Sequence, residues 1–107
     1  MNGGRIVRMA DLEIDTAHLD DYRALLAQEI KASVAIEPGV LMLHAVALPD
    51  DPCMIRILEV YASQSAYEAH LKTPHFLEYK NGTSGMVKSL RLMEVDPIAM
   101  RAKPEIT

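Results

Sequence analysis

VLMLHAVALPDDPCMIRILEVYA, residues 40–62, holds two apolar runs, 40–48 and 54–62, either side of Pro49, Asp50, Asp51 and Pro52. Aliphatic runs bounded by such turn formers pair as a hairpin. The first run sets Leu41, Leu43, Ala45 and Ala47 on one side and Val40, Met42, Val46 and Leu48 on the other. The second sets Ile55, Ile57 and Tyr61 against Met54, Leu58 and Val60. Both faces are apolar, so the sheet containing this hairpin needs cover on both sides.

Working outward, Ile6–Ile14 alternates loosely and reads as a first strand. From Leu19 the apolar residues recur as Leu19, Tyr22, Leu26, Ile30 and Val34, a helical stripe. Thr16 is a candidate N-cap, Asp20 and Asp21 complement the helix dipole, and Pro38-Gly39 stops the helix. After the hairpin, Ser63 can cap a second helix, and Ser65 and Glu68 have capping-box spacing. Thr73-Pro74 then puts a cap residue before a proline at a first helical position, so the helix restarts at Pro74. Residues 81–85, NGTSG, break it, 87–95 alternates as a fourth strand, and the chain is irregular from Pro97.

The order β-α-β-β-α-β predicts an α+β, ferredoxin-like fold with a four-stranded antiparallel sheet, one domain with its core over about 6–97 and an irregular tail over 98–107. Two helices cover one sheet face only. The other face, with Met42, Leu58 and Val60, predicts a homodimer closing sheet on sheet, a dimeric α+β barrel.

Among the 107 residues 50% are apolar and 24% charged, and the formal net charge is -4. No basic patch exists to release counterions from phosphates, so nucleic acid is not an expected partner. The longest apolar stretch is interrupted by His44, which excludes a membrane span, and Arg5 and Arg8 lead into Asp11 and Glu13 without the apolar core of a secretory signal. The single cysteine, Cys53, closes no intramolecular disulfide, and a cytoplasmic location is the expectation.

His75 falls in the first turn of a helix, where the dipole disfavours imidazolium and leaves a neutral ring able to accept a proton. His70, five residues earlier, can face the same cavity across the break. Glu59 shares a strand face with Tyr61 and either orients a histidine as a general base or forms an ion pair with Arg8, Arg56 or Arg91. Tyr22, Tyr67, Phe76 and Tyr79 fall at helical positions, as core or as pocket walls, and Met9, Met42 and Met86 offer soft apolar surface. His18 and His44 read as structural. No third ligand has diagnostic spacing to the histidine pair, so no metal is expected. No flavin motif or Gly-rich dinucleotide loop appears, and no cofactor is expected.

The tract EVYASQSAYEAHLKTPHF, residues 59–76, resembles the antibiotic biosynthesis monooxygenase superfamily of dimeric α+β barrels, and the likeness extends over roughly 6–97. The resemblance implies a cofactor-free enzyme acting on a small molecule. One form is an oxygenase of a quinol or anthrone, with His70 or His75 removing a phenolic proton so that the anion reduces dioxygen. Another is an isomerase of a phosphorylated hydroxy-dione signal, using the same base, with Arg8, Lys72 or Lys80 holding the phosphate. A third is a non-catalytic dimer that binds small ligands, since fold does not dictate function. Heme-degrading relatives use a helix-borne histidine as iron ligand; this chain has Lys80 there, and heme does not fit.

Overall fold

Alternating burial along Ile6–Ile14, the first strand β1, puts Ala10, Leu12 and Ile14 into the core in a computed structural model that describes residues 4–104. The outer end of the expected tail, 105–107, lies outside the described residues. Beyond β1 come α1 (Leu19–Ile36), β2 (Val40–Leu48), β3 (Asp51–Tyr61), α2 (Gln64–His70), α3 (Pro74–Gly82) and β4 (Val87–Glu94). The sheet order is β2-β3-β1-β4 with every neighbouring pair antiparallel. This is the ferredoxin-like α+β arrangement expected from the element order. No helix among the described residues is long and apolar enough to cross a membrane.

The core lies between the sheet and α1, where Tyr22 and Leu26 meet Ala10, Leu12, Ile55 and Ile57. Three local features differ from the sequence reading. Val40 pairs with Tyr61 and Met42 with Val60, so Leu41 is a bulge that turns Val40 to the helix side, where it packs with Leu43 and Tyr61. The hairpin connection is only residues 49 and 50, because β3 already begins at Asp51. Ala47 pairs with Ile55 and the next residue, Leu48, with Asp51, so residues 52–54 have no partner in β2, where Pro52 owes no ladder hydrogen bond, while Met54 still pairs with Glu13 of β1. Finally, Thr16 caps nothing: Asp15 caps the short 3-10 turn Thr16–His18 that leads into α1, its carboxylate accepting from the Ala17 amide at 3.0 Å, and α1 itself begins after His18 with no side-chain cap.

The stripe buried along α1 is Tyr22, Leu26, Glu29 and Ser33, whereas Val34 is 47% exposed. The helix is therefore rotated from the purely aliphatic stripe, and a polar pair points into the protein. Gly39 follows α1 where β2 starts, and a Cβ there would stand 2.5 Å from the Ala66 Cβ on α2. Gly39→Ala should push α2 off the sheet at a cost of about 1–3 kcal/mol. A melting temperature lowered by at least ~4 °C, partly recovered by adding Ala66→Gly, is the expected result.

Candidate active site

Two short helices and the end of α1 bring the site together. Ser63 caps α2, accepting from the Ala66 amide at 3.1 Å. At the α2–α3 turn the Thr73 hydroxyl donates to the His70 carbonyl at 2.8 Å and accepts from the Phe76 amide at 3.2 Å, while Pro74 occupies the first turn of α3. The turn sets both histidines against Glu37, the C-cap residue of α1. His70 Nδ1 lies 2.9 Å and His75 Nε2 lies 2.5 Å from the same oxygen, Glu37 Oε2. The other nitrogen of His70, Nε2, faces Glu29 Oε1 at 3.3 Å, and the Ser33 hydroxyl donates to that oxygen at 2.9 Å. Glu29, Ser33 and Glu37 were not among the sequence candidates; a carboxylate and a hydroxyl four apart on a buried stripe are the signal that finds two of them.

The electrostatics follow from these contacts. Burial alone would lower the pKa of His70, but hydrogen bonds and charge from Glu29 and Glu37 outweigh it and hold the ring's pKa above its ordinary value. Burial pushes the Glu37 carboxyl up, yet hydrogen bonds from His75 and His70 bring it below the ordinary carboxylate value.

A cavity of about 140 Å³ lies between the sheet and the helices. Leu12, Leu43 and Ile57 form its apolar floor, and Leu90 and Leu92, both about half exposed on β4, stand at its mouth. Of the predicted residues, His70, Glu59, Tyr61, Tyr67, Phe76 and Tyr79 line it, whereas His75 does not. The rings make a linked wall: Tyr61 meets Tyr67 edge-on at 5.0 Å between centroids, and His70 meets Phe76 at 4.9 Å. Tyr22 and Tyr79 share a hydrogen bond of 2.7 Å between their hydroxyls. A larger groove of about 570 Å³ over β2 and α1 is lined by no carboxylate.

Glu59 accepts a hydrogen bond of 2.9 Å from the Tyr61 hydroxyl, and among the described residues it has no ion-pair partner. Of the cations considered for it, Arg56 pairs with Asp11 at 3.0 Å and Arg91 lies across from Asp11 in the adjacent strand. Arg8 is opposite Glu59 in the register, but its guanidinium stacks on the Tyr67 ring at 4.2 Å, and its buried Nε meets no acceptor. Burial raises the Glu59 pKa, and the Tyr61 hydrogen bond and the charge of His70 only partly offset this. Burial also raises the Tyr61 and Tyr79 hydroxyls, so both stay protonated donors. Arg8, Lys72 and Lys80, the phosphate anchors considered, are all absent from the cavity wall.

Residues 5–82 match the family described as Antibiotic biosynthesis monooxygenase. The chain belongs to this family. A protein of Bacteroides thetaiotaomicron, provisionally named an antibiotic biosynthesis monooxygenase, is 41% identical and superposes with a TM-score of 0.92 over 96% of this chain and 100% of its own. A provisionally named monooxygenase of Lactobacillus acidophilus is 33% identical with a TM-score of 0.84; the match covers 86% of this chain and 44% of that one. A Nitrosomonas europaea protein at 18% identity and TM-score 0.81, covering 90% of this chain and 92% of its own, shares the fold. No curated protein matches the chain. Membership among the antibiotic biosynthesis monooxygenases supports a general small-molecule, monooxygenase-like function.

Proposed function

We propose that the protein is a monooxygenase of a small electron-rich aromatic, with Glu59 as the proton acceptor and the substrate itself as the reductant of dioxygen. The observation that carries this reading is the Glu59 carboxylate, set in an apolar cavity with a tyrosine hydroxyl as its hydrogen-bond partner. A buried carboxylate with a raised pKa suits a base working near neutral pH. His70 is less suited, because each of its ring nitrogens already faces a carboxylate and no lone pair is directed at the cavity. Its ring, and those of Tyr61, Tyr67, Phe76 and Tyr79, would flank the substrate. An apolar cavity of about 150 Å³ holds one benzene ring, so a single-ring quinol fits within the walls and larger substituents would extend past Leu90 and Leu92.

The chemistry balances without an added reductant. Glu59 takes the phenolic proton, and desolvation in the apolar cavity leaves an anion that is easily oxidised. The anion passes one electron to dioxygen, and the resulting pair recombines at a ring carbon bearing hydrogen. Glu59 returns the proton to give a hydroperoxide, which loses water to leave a carbonyl. One oxygen atom ends in the product and one in water, and all four electrons come from the substrate.

With protein and a single-ring quinol alone, dioxygen uptake should exceed the spontaneous rate, stop under anaerobic conditions, and put one labelled atom from dioxygen into each product molecule. Proton exchange of a hydroxy-dione with deuterated solvent in the absence of oxygen would replace the oxygenase by the isomerase. Saturable binding without turnover of either would leave a ligand-binding dimer.

A further inference from the structure

We propose that Glu37, His70 and His75 form a site for one divalent first-row transition ion, of which zinc is the natural probe. The three donor atoms, Glu37 Oε2, His70 Nδ1 and His75 Nε2, all lie within 4.8 Å of one another. A tetrahedral zinc with bonds of about 2.0–2.1 Å would space its ligand atoms about 3.3 Å apart. The two separations from Glu37 Oε2, 2.9 Å and 2.5 Å, each need to open by less than an ångström to admit the ion. Two nitrogens and one carboxylate oxygen, with a fourth position left for water, are a common donor set for zinc.

Two further features are those a metal centre requires. A ligating imidazole generally donates its other N–H to a carboxylate that fixes the ring. His70 Nε2 has Glu29 Oε1 at 3.3 Å in that position, and Glu29 is held in turn by the Ser33 hydroxyl at 2.9 Å. The second feature is charge. Neither Glu29 nor Glu37 meets a lysine or arginine among the described residues, so two carboxylates converge on His70 with no fixed cation beside them. The site is reached from the outside: the side chains of His75 and Glu37 are 14% and 12% exposed against 3% for His70. An ion would enter past His75 and keep a water on that side, away from Glu59. It would bind the end of α1 to the α2–α3 turn and fix the His70 ring in the cavity wall, which is independent of the base assigned to Glu59.

The test is titration of chelator-treated whole protein with zinc by calorimetry and with cobalt by visible absorption. One ion per chain is expected, with cobalt bands of a nitrogen- and oxygen-ligated centre. Glu37→Gln and His75→Ala should each abolish binding, Glu29→Gln should weaken it about 10- to 100-fold at unchanged stoichiometry, and His44→Ala should leave it intact. If His75→Ala does not fold, as circular dichroism would show, Glu37→Gln decides alone. Substoichiometric binding, or one ion per chain that survives Glu37→Gln, would overturn the proposal.

Discussion

Glu59→Gln is expected to lower turnover of a quinol about a hundredfold or more, the scale for losing a positioned base, while the protein becomes more stable at neutral pH. The amide keeps the shape and still accepts the Tyr61 hydrogen bond, but it takes no proton and carries no charge into the cavity. Burial holds the Glu59 pKa above its unfolded value, so the folded state binds this proton more tightly than the unfolded chain does. The associated stability is complete below the unfolded pKa and is lost as pH rises through the folded one. Glutamine avoids that loss. Melting curves of the two proteins should therefore coincide in acid and separate toward neutral pH, with the variant higher. In the parent protein the proposed activity should rise in kcat/KM with pH through the raised Glu59 pKa, above the ordinary carboxylate range, and this acidic limb should vanish from the residual activity of Glu59→Gln. A variant that keeps full activity, or loses activity only by melting, would remove Glu59 from the mechanism. A buried charge retained despite its cost in stability is what a functional site would show.

What the sequence makes legible is what is local. The hairpin, the Thr73-Pro74 restart and the Ser63 cap depend on residues within a few positions of one another, and all three stand in the structure. The cavity residues on β3 and α2–α3 are legible for the same reason, since Glu59 and Tyr61 share a strand face and His70 precedes a helix break. Glu37 is different. It meets the histidines across separations of 33 and 38 residues, and its place beside Pro38-Gly39 marks it only as a helix end. The rotation of α1 is hidden because Ile30 and Val34 offer an apolar stripe as good as the one used, and the choice falls to Glu29, held by the Ser33 hydroxyl, finding His70 across the fold. The bulge at Leu41 is hidden too: with aliphatic residues on both faces of β2, His44 is the one polar side chain in the strand that a slip of one residue would misplace.

Leu58→Glu is expected to convert a dimer into single chains. We propose the dimer because the face of the sheet away from the helices is apolar at its centre: Met9 pairs with Leu58 on one side and with Met93 on the other, and Val60 pairs with Val7 on one side and with Met42 on the other. Val7 and Val60 are already buried within one chain, so the contact surface passes to Met9, Met42, Leu58 and Met93, which remain partly exposed. The next row across the sheet is charged, with Arg56 joined to Asp11 at 3.0 Å and Arg91 across from Asp11, and it bounds the patch on one side. An apolar centre with a polar rim is the anatomy of a protein–protein interface. In a two-fold dimer each substitution enters twice. Burying an unpaired carboxylate costs several kcal/mol, so two should weaken association by more than about 10⁴-fold. Light scattering at micromolar concentration should give twice the chain mass for the parent and the chain mass for Leu58→Glu, with circular dichroism unchanged because Leu58 is only half-buried in the single chain. A parent protein already monomeric, or a variant that stays dimeric, would show that this face is not the interface.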